Sequence, residues 1–244
     1  MVPDLLQDIG CLCDHSRLGV VVTVNIPERL PFAPDHFAFP LAIVRNATPK
    51  GYGANHNRAF EVMHGDAFCV LNPDIRLTAD PFPALLEHLK ALKAGLVAPL
   101  IVNSKGRIAD SPRRTITPFR ILKRVFTLEK GLDYEIGAAP IAPDWVAGMF
   151  LMFSSRAFAE IDGFDEGYYM YCEDADICSR LGETGQGVWL IPLVKAIHDA
   201  RRQSHYDPRY FWWHINSLAR LCTKRRISDW PTGASSKLKS ASDV

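Results

Sequence analysis

Short apolar segments alternate with helical patterns along this chain, and the alternation restricts it to few folds. β-Branched or apolar runs predict strands, whereas apolar residues three and four positions apart predict helices. Strands joined by helices at this spacing favour a layered α/β domain with a largely parallel sheet. In the first part of the chain, the predicted strands are residues 18–24, 41–44, 68–71 and 96–102, and the predicted helices are residues 3–14, 54–65 and 82–93.

The pattern continues less regularly after residue 102. Pro-rich residues 26–40 and the segment at 131–143 are predicted loops, and residues 121–126 a short helix. We expect one domain over residues 1–230, followed by a Ser- and Lys-rich tail at 231–244 that is predicted to be disordered. The later predicted strands are residues 145–153, 188–191 and 194–198, and the later predicted helices are residues 154–161, 173–183 and about 206–226.

Composition limits the class of protein. Apolar residues make up 48% of the 244 residues, enough for a sizeable core, and a formal charge of +1 gives no reason to expect nucleic acid as a partner. The six cysteines form no CxxC pair, which favours reduced thiols. No signal peptide and no membrane-spanning apolar run is evident, so the expected location is cytoplasmic.

Five carboxylates fall within residues 165–176, at the start of a predicted helix. Such a cluster repels itself unless a cation, a helix N-terminus or a reacting proton stabilises it. Glu173 and Asp176 share one helix face, while Asp174 points elsewhere. An ionised carboxylate here could accept a proton from a sugar hydroxyl. Helix capping, with an ion pair to Arg180, is the alternative for any one of these acids.

A second acidic site follows the strand at residues 68–71, in the turn formed by Asn72-Pro73-Asp74. A strand end aims Asp74 out of the sheet edge, and Mg²⁺ takes one or two carboxylates together with substrate phosphates. His198 follows a short apolar segment and could complete the metal shell. Taken alone, each of these residues is better explained by the alternative, an ordinary turn for Asp74 and an exposed or structural histidine for His198.

Two further groups are candidates for binding phosphate. Glycines at a helix entry, Gly51 and Gly53 with Asn55 nearby, let backbone N–H groups approach phosphate or sugar oxygens. Arg113 and Arg114 could pair with a diphosphate. Glycine-rich turns are common, and simple surface exposure is the alternative for the arginines.

Taken together, these segments resemble the family-two inverting glycosyltransferases of the GT-A fold, in particular the rhamnosyltransferase-like branch. The resemblance covers roughly residues 18–226. It rests on three blocks. The first is residues 46–57 together with Asn72-Pro73-Asp74, and the third is residues 192–204. The second comprises residues 145–148, Gly163-Phe164-Asp165-Glu166 and Glu173-Asp174-Ala175-Asp176.

The resemblance implies a Rossmann-like, mixed and mostly parallel sheet flanked by helices. It implies a dTDP- or UDP-sugar donor, Mg²⁺ or Mn²⁺, and transfer with inversion to a saccharide or lipid-linked acceptor in polysaccharide or lipopolysaccharide biosynthesis. Asp174 would be the base and Glu173 its support. Asp74 and His198 would hold the metal, and Asn72 and Gly148 would contact the donor together with the glycine loop and the two arginines.

The N-terminal part departs from the family pattern and implies that one β/α element is lacking. Either residues 18–24 are the family's second strand, or they are the first and residues 26–40 replace the next unit. No Asp occupies the usual base-binding position, and Asn25 and Glu28 are the nearest candidates. A catalytically impaired member that binds a sugar nucleotide or a partner is therefore the alternative function.

The C-terminal helix combines Phe211, Trp212 and Trp213 with a basic end, Lys224-Arg225-Arg226. This composition allows a peripheral contact with an anionic membrane surface, where a lipid-linked acceptor would be presented. A packed terminal helix with a solvated basic end is the alternative.

Overall fold

The computed structural model describes residues 1–115, 132–199 and 208–224. Within these ranges the chain forms nine strands and six α-helices in an α/β arrangement. The strands are β1 (Val20–Val24), β2 (Leu41–Arg45), β3 (Ala67–Leu71), β4 (Ile75–Arg76), β5 (Leu96–Val102), β6 (Pro112–Arg113), β7 (Trp145–Val146), β8 (Phe150–Ser154) and β9 (Val188–His198). The helices are α1 (Val2–Leu12), α2 (Tyr52–Val62), α3 (Phe82–Ala91), α4 (Ser155–Glu160), α5 (Glu173–Glu183) and α6 (Pro208–Lys224).

The central sheet has five strands in the order β3-β8-β5-β9-β4. Strands β5 and β9 are parallel, whereas β8 is antiparallel to both β3 and β5, and β4 is antiparallel to β9. Strands β1 and β2 form a separate parallel pair. The α/β class and the mixed sheet are thus confirmed, but the expectation of a mostly parallel sheet is wrong for the described strand pairs. The reason is β8, which lies between β3 and β5 and runs opposite to both.

Both faces of this sheet are covered, as the continuous apolar runs in β5 and β8 require. Alternate residues of β5 enter different cores, with Leu96 and Ala98 on one face and Val97 and Ile101 on the other. Helix α5 covers the first face, and helices α1 and α3 cover the second. The helices therefore hold the strand ends in fixed positions, which matters for the polar residues that follow those ends.

An ion pair between the largely buried Asp8 and the half-exposed Arg76 fixes α1 to the edge of the sheet. Asp8 accepts hydrogen bonds from Nε and Nη2 of Arg76 at 2.6 and 2.7 Å, and from the Leu77 N–H at 3.0 Å. These bonds lower the pKa of Asp8. The predicted helix at residues 3–14 is thus confirmed as α1, and it packs through Leu5, Leu6 and Ile9.

Two strand predictions need correction. The predicted strand at 145–153 is broken into β7 and β8 by a turn that contains Gly148, because this turn carries the chain from a small sheet to the central one. The predicted strands at 188–191 and 194–198 are one strand, β9, because it continues past Pro192. The pairing of β9 with β5 shifts in register at this point, since Ile191 lies opposite Pro99 but Lys195 lies opposite the next residue, Leu100.

Some expectations lie outside the described residues. These are the helix at 121–126, the tail at 231–244 and the ends of the predicted helix at about 206–226. A single domain over residues 1–230 and a lacking N-terminal β/α element stay predictions. Among the described helices, none is both long enough and apolar enough to cross a membrane.

Candidate active site

The polar residues that follow the strands converge at the edge of the central sheet that is formed by the ends of its strands. Strand β3 ends at Leu71, which lies opposite Phe150 at the start of the antiparallel β8. Strand β9 ends at His198, which pairs with Ile75 of β4. The turn after β3, the turn before β8 and the end of β9 are therefore neighbours, as expected for a ligand site at strand ends.

Asp74 and His198 meet at this edge. The register of β4 against β9 brings Asp74 Oδ1 within 3.3 Å of His198 Nε2. Their side chains are 22% and 11% exposed, so both can still reach a ligand. A carboxylate and an imidazole this close are suitable as two protein ligands of Mg²⁺ or Mn²⁺, with substrate phosphate and water completing the shell. Within the described ranges, no group of three or more His, Cys, Asp or Glu side chains could hold a metal ion.

Asp174 lies in the first turn of α5 and contacts the turn before β8. Its Oδ2 accepts a hydrogen bond from the Gly148 N–H at 3.0 Å, and its Oδ1 accepts one from the Ala175 N–H at 2.9 Å. Burial raises the pKa of Asp174, while these two donors and the charge of Arg113 act in the opposite direction. The result is a carboxylate with a raised pKa that is fixed in position, as general-base catalysis requires.

Two left-handed residues set the direction in which α5 starts. Tyr171 and Cys172 have φ values of 74° and 65°, in the region that favours glycine. Strained backbone of this kind persists where the surrounding structure determines it, and such residues cluster at functional sites. Here the strained pair directly precedes Glu173 and Asp174, and therefore controls where these carboxylates point.

Tyr52 links the two halves of the site, and the sequence analysis did not select it. Its hydroxyl donates to the Gly148 carbonyl and lies 3.4 Å from Asn72 Oδ1. Asn72 in turn donates its N–H to the Met149 carbonyl at 2.9 Å. Burial raises the pKa of Tyr52 well above its usual value, and the charges of Glu173 and Asp174 add to the effect. The hydroxyl therefore remains a donor, and Asn72, Tyr52, Gly148 and Asp174 form a continuous polar chain.

The glycines at the start of α2 have a packing reason for being there. A Cβ on Gly51 would lie 2.8 Å from the carbonyl oxygens of Tyr168 and Tyr169, and one on Gly53 would lie 2.6 Å from Phe164 Cβ. Both glycines thus let the segment before α5 pack against α2, where Tyr52 N–H donates to the Tyr169 carbonyl at 2.9 Å. Phosphate binding by this loop stays a prediction.

Asn55 lies in an amide network near the end of β1. Its Oδ1 accepts a hydrogen bond from Asn46 Nδ2 at 2.7 Å. The same Asn46 group donates to Asn25 Oδ1 at 2.9 Å, and Asn25 also binds the backbone N–H and carbonyl of Lys50. Asn55 and Asn25 therefore hold the loop that leads into α2, and a donor contact of Asn55 stays a prediction.

The two predicted arginines differ in their surroundings. Arg113 lies beside the Trp145 ring at 5.4 Å, its Nε donates to the Asp110 carbonyl, and its charge acts on Asp174. Arg114 is bound by Asp133 through its N–H and its Nε. Successive strand residues point to opposite faces. Arg113 is therefore the arginine on the site's side, and a donor contact of either one stays a prediction.

Asp176 has a structural environment, in agreement with its expected place on the other face of α5. It is 2% exposed, and it binds Arg180 Nε at 2.7 Å and Lys224 Nζ at 3.0 Å. The ion pair with Arg180, which the sequence offered as the alternative for each acid, thus applies to Asp176. Asp174 has no such cation bound directly to it among the described residues.

Glu173, like Asp174, has a raised pKa. Burial and the charge of Asp174 raise the pKa of Glu173 to about 8, and its Oε2 is buried with no hydrogen-bond partner among the described residues. At neutral pH its carboxyl is therefore protonated in the folded protein. Glu173 thus adds no second negative charge beside Asp174, which is consistent with the expected supporting role.

This perturbed pKa predicts how stability changes in Glu173→Gln. A carboxyl with an ordinary value of 4.5 when unfolded and about 8 when folded makes the protein less stable as pH rises between these values. Glutamine removes this dependence. At about pH 8 we expect the free energy of unfolding of the variant to exceed that of wild type by about 1–3 kcal/mol, so that the variant unfolds at a higher temperature. This difference should vanish near pH 4.5.

Thermal unfolding of both proteins across this pH range measures the effect. The matched control is Glu87→Gln, an exposed position on α3, for which we expect wild-type behaviour throughout. A Glu173→Gln variant that is less stable than wild type at about pH 8 would contradict the assignment of a protonated Glu173.

Solved structures identify the fold. Mannosyltransferase PcManGT from Pyrobaculum calidifontis, solved with GDP-Man and Mn²⁺, superimposes with a TM-score of 0.63 at 16% identity, covering 92% of this chain and 61% of that protein. At this identity the likeness concerns the fold alone, which is that of the GT-A glycosyltransferases. The carboxylates described above lie near strand ends, where open α/β sheets bind their ligands.

Sequence comparisons point in the same direction. Residues 32–145 match the model of Glycosyl transferase family 2, so this part of the chain is similar to that family. Rhamnosyltransferase WbbL of Escherichia coli K12 is 27% identical over 193 residues, 72% of each chain. The N-acetylglucosaminyl-diphospho-decaprenol L-rhamnosyltransferase of Mycobacterium tuberculosis H37Rv is 29% identical over 181 residues, which is 65% of this chain and 58% of that protein.

The expected resemblance to the rhamnosyltransferase-like branch is therefore confirmed at the level of family and fold. The matched family region contains Asp74, Asn72 and the start of α2, but it ends before the acid cluster. The roles assigned to Asp174 and Glu173 thus depend on the geometry described above.

Proposed function

We propose that this protein transfers a sugar from a nucleotide-sugar donor to a hydroxyl of a saccharide or lipid-linked acceptor, with inversion and with a divalent cation. One observation carries the proposal, namely the polar chain from Asn72 through Tyr52 and Gly148 to Asp174. This chain joins a fixed carboxylate to the turn that holds Asp74. The proposed base and the proposed metal ligands would then lie at opposite ends of one connected site.

Asp174 would act on the acceptor. As the acceptor oxygen forms its bond to the anomeric carbon, the bond from that carbon to the diphosphate breaks, and the hydroxyl proton passes to the Asp174 carboxylate. A single displacement of this kind inverts the anomeric centre. The raised pKa of Asp174 makes its carboxylate a stronger proton acceptor than an exposed one.

Asp74 and His198 would act on the donor. Their separation of 3.3 Å and their partial exposure are suitable for Mg²⁺ or Mn²⁺. When bound, such a cation neutralises charge that develops on the departing diphosphate. Arg113, 29% exposed and on the site's side of β6, would add a fixed positive charge. The solved mannosyltransferase with GDP-Man and Mn²⁺ supports this arrangement by likeness of fold.

The substrate classes follow from the relatives. Two relatives are named as rhamnosyltransferases, and the mycobacterial name includes the lipid-linked sugar N-acetylglucosaminyl-diphospho-decaprenol. We therefore propose a dTDP- or UDP-sugar donor and a lipid-linked or saccharide acceptor in polysaccharide or lipopolysaccharide assembly. The aligned segments span 72% and 58% of these relatives, so the proposal concerns the activity of the shared domain.

A second candidate is a catalytically impaired binder of a sugar nucleotide or a partner protein. One observation favours it. Asn25, the nearest candidate for recognising the nucleotide base, already binds Asn46 and both backbone groups of Lys50. Base recognition would then need other groups or a rearranged loop.

A donor screen distinguishes the two candidates. Thermal unfolding is measured with dTDP-, UDP- and GDP-sugars, each with and without Mn²⁺, and sugar transfer is then measured with the donor that binds. A donor at about 100 times its Kd should stabilise the protein by about 2.7 kcal/mol, and only with the cation present. Binding without turnover on any acceptor would favour the impaired binder of a sugar nucleotide. No shift with any donor would contradict the transferase and leave only the partner-binding form of the second candidate.

A further inference from the structure

Helix α6 presents an apolar face that points away from the rest of the protein. Phe211, Trp212 and Ile215 are 69%, 63% and 41% exposed among the described residues. Ala219 and Cys222 are also exposed and continue the same stripe at helical spacing. Five apolar residues in one outward stripe exceed what scattered surface apolar residues explain, and such patches mark interaction sites.

The opposite face of α6 already provides its attachment to the domain. Leu221 is buried in the core, and Ser217 Oγ donates to the Met170 carbonyl at 2.7 Å. The Trp213 ring contacts the Tyr169 ring at 4.6 Å between centroids. The outward stripe is therefore not needed to hold the helix in place, and it is available for a second contact.

Charge around this helix favours an anionic partner. Residues 208–224 contain Arg209, Arg220 and Lys224 but no Asp or Glu. Arg220 and Lys224 are paired with the Asp165 carboxylate, and Lys224 also with Asp176, so these two cations hold α6 on the domain. The excess of positive charge is a property of the wider segment. In the sequence, residues 201–230 hold seven Lys and Arg residues against two Asp, although the whole chain is nearly neutral.

We propose that α6 lies on the surface of an anionic lipid bilayer, with Phe211, Trp212 and Ile215 inserted at the headgroup boundary. An amphipathic helix with aromatic residues on its outward face, in a segment of the sequence with an excess of Lys and Arg, has the composition of an interfacial helix. Basic residues add attraction to an anionic leaflet. The occupant of this face is thus a membrane surface, and the alternatives, a second copy of the chain or another protein, are outcomes of the test.

This contact would place the acid cluster near the membrane. Helix α6 packs on the segment that leads into α5, through Met170, Tyr169 and Tyr171. The same segment holds Tyr52 through the Tyr169 carbonyl and directly precedes Glu173 and Asp174. The inference deepens the proposed function and rests on it, because a lipid-linked acceptor would enter from the bilayer side.

Flotation with lipid vesicles tests the proposal. The full chain is mixed with vesicles of phosphatidylglycerol and phosphatidylcholine, or of phosphatidylcholine alone, at about 0.1 M and about 0.5 M salt. We expect flotation with the anionic vesicles that weakens at high salt. The variant Phe211→Ser/Trp212→Ser/Ile215→Ser should bind the anionic vesicles about tenfold or more weakly.

A matched control separates this face from general surface apolarity. Ile26 and Leu193 are 64% and 74% exposed and lie outside α6, so Ile26→Ser/Leu193→Ser should float as wild type does. Equal flotation of the α6 variant and wild type would overturn the proposal. A wild-type dimer that the α6 substitutions convert to a monomer, without vesicle binding, would overturn it in favour of a second copy.

The readout also separates this proposal from the proposed function. Transfer to a water-soluble acceptor should be unchanged in the α6 variant, because none of its three positions lies in the catalytic site. Transfer to an acceptor embedded in vesicles should fall together with flotation. Failure of soluble transfer in wild type would contradict the proposed function, whereas failure of flotation alone would contradict only the membrane contact.

Discussion

Replacing Asp174 with asparagine is expected to lower the rate of sugar transfer by about 10²–10⁴-fold. The amide preserves the size of the side chain, and its one oxygen can still accept one of the two hydrogen bonds that the Asp174 carboxylate accepts from the N–H groups of Gly148 and Ala175. It cannot accept the proton of the acceptor hydroxyl. Donor affinity should therefore stay near its wild-type value, because Asp74, His198 and Arg113 are unchanged. Initial rates at saturating donor, with donor binding followed by thermal shift, measure both quantities.

The control for Asp174→Asn is the same chemical change at Asp162. That residue is exposed, it lies between α4 and α5, and its φ of 57° is one that asparagine also tolerates. We expect Asp162→Asn to transfer sugar at the wild-type rate. Turnover by Asp174→Asn within a few-fold of wild type would exclude Asp174 as the base. In wild type, activity should fall as pH drops through the raised pKa of Asp174.

The order of strands and helices was predictable because it depends on local patterns. Apolar runs located β3 and β5 to within one residue, and the helix that starts at Glu173 was placed correctly. The position of β8 was not predictable in the same way. Its antiparallel placement between β3 and β5 is set by contacts between distant segments, and sequence periodicity carries no information on strand direction.

The candidate site was predictable in its charged residues and not in its connections. The resemblance paired Asp74 with His198, and the structure brings them to 3.3 Å. Tyr52 was missed because its role depends on the Gly148 carbonyl, which lies 96 residues further along the chain. Its position between Gly51 and Gly53 was the available signal, since a tyrosine between two glycines is positioned by close packing on both sides.

Replacing Asp74 with asparagine is expected to reduce metal-dependent transfer by about 10²-fold or more. An amide oxygen is a weaker ligand than a carboxylate for Mg²⁺ or Mn²⁺. His198 Nε2, 3.3 Å from Asp74 Oδ1, would then be the one strong protein ligand of the pair. The variant should therefore need more Mn²⁺ for half-maximal activity, and it should lose the part of the donor-induced stabilisation that depends on the cation. Titration of activity with Mn²⁺ and thermal shift with donor measure these effects.

Two further variants make the Asp74 experiment specific. His198→Gln should raise the Mn²⁺ requirement in the same direction, and the double variant should lose little more than either single one, because both residues would serve one ion. Asp66→Asn, an exposed carboxylate in the turn before β3, should match wild type. If Asp74→Asn binds donor and turns over with an unchanged Mn²⁺ dependence, the cation site is not at this edge of the sheet. If the effects of Asp74→Asn and His198→Gln simply multiply, the two side chains act independently, and their short separation reflects only the pairing of β4 with β9.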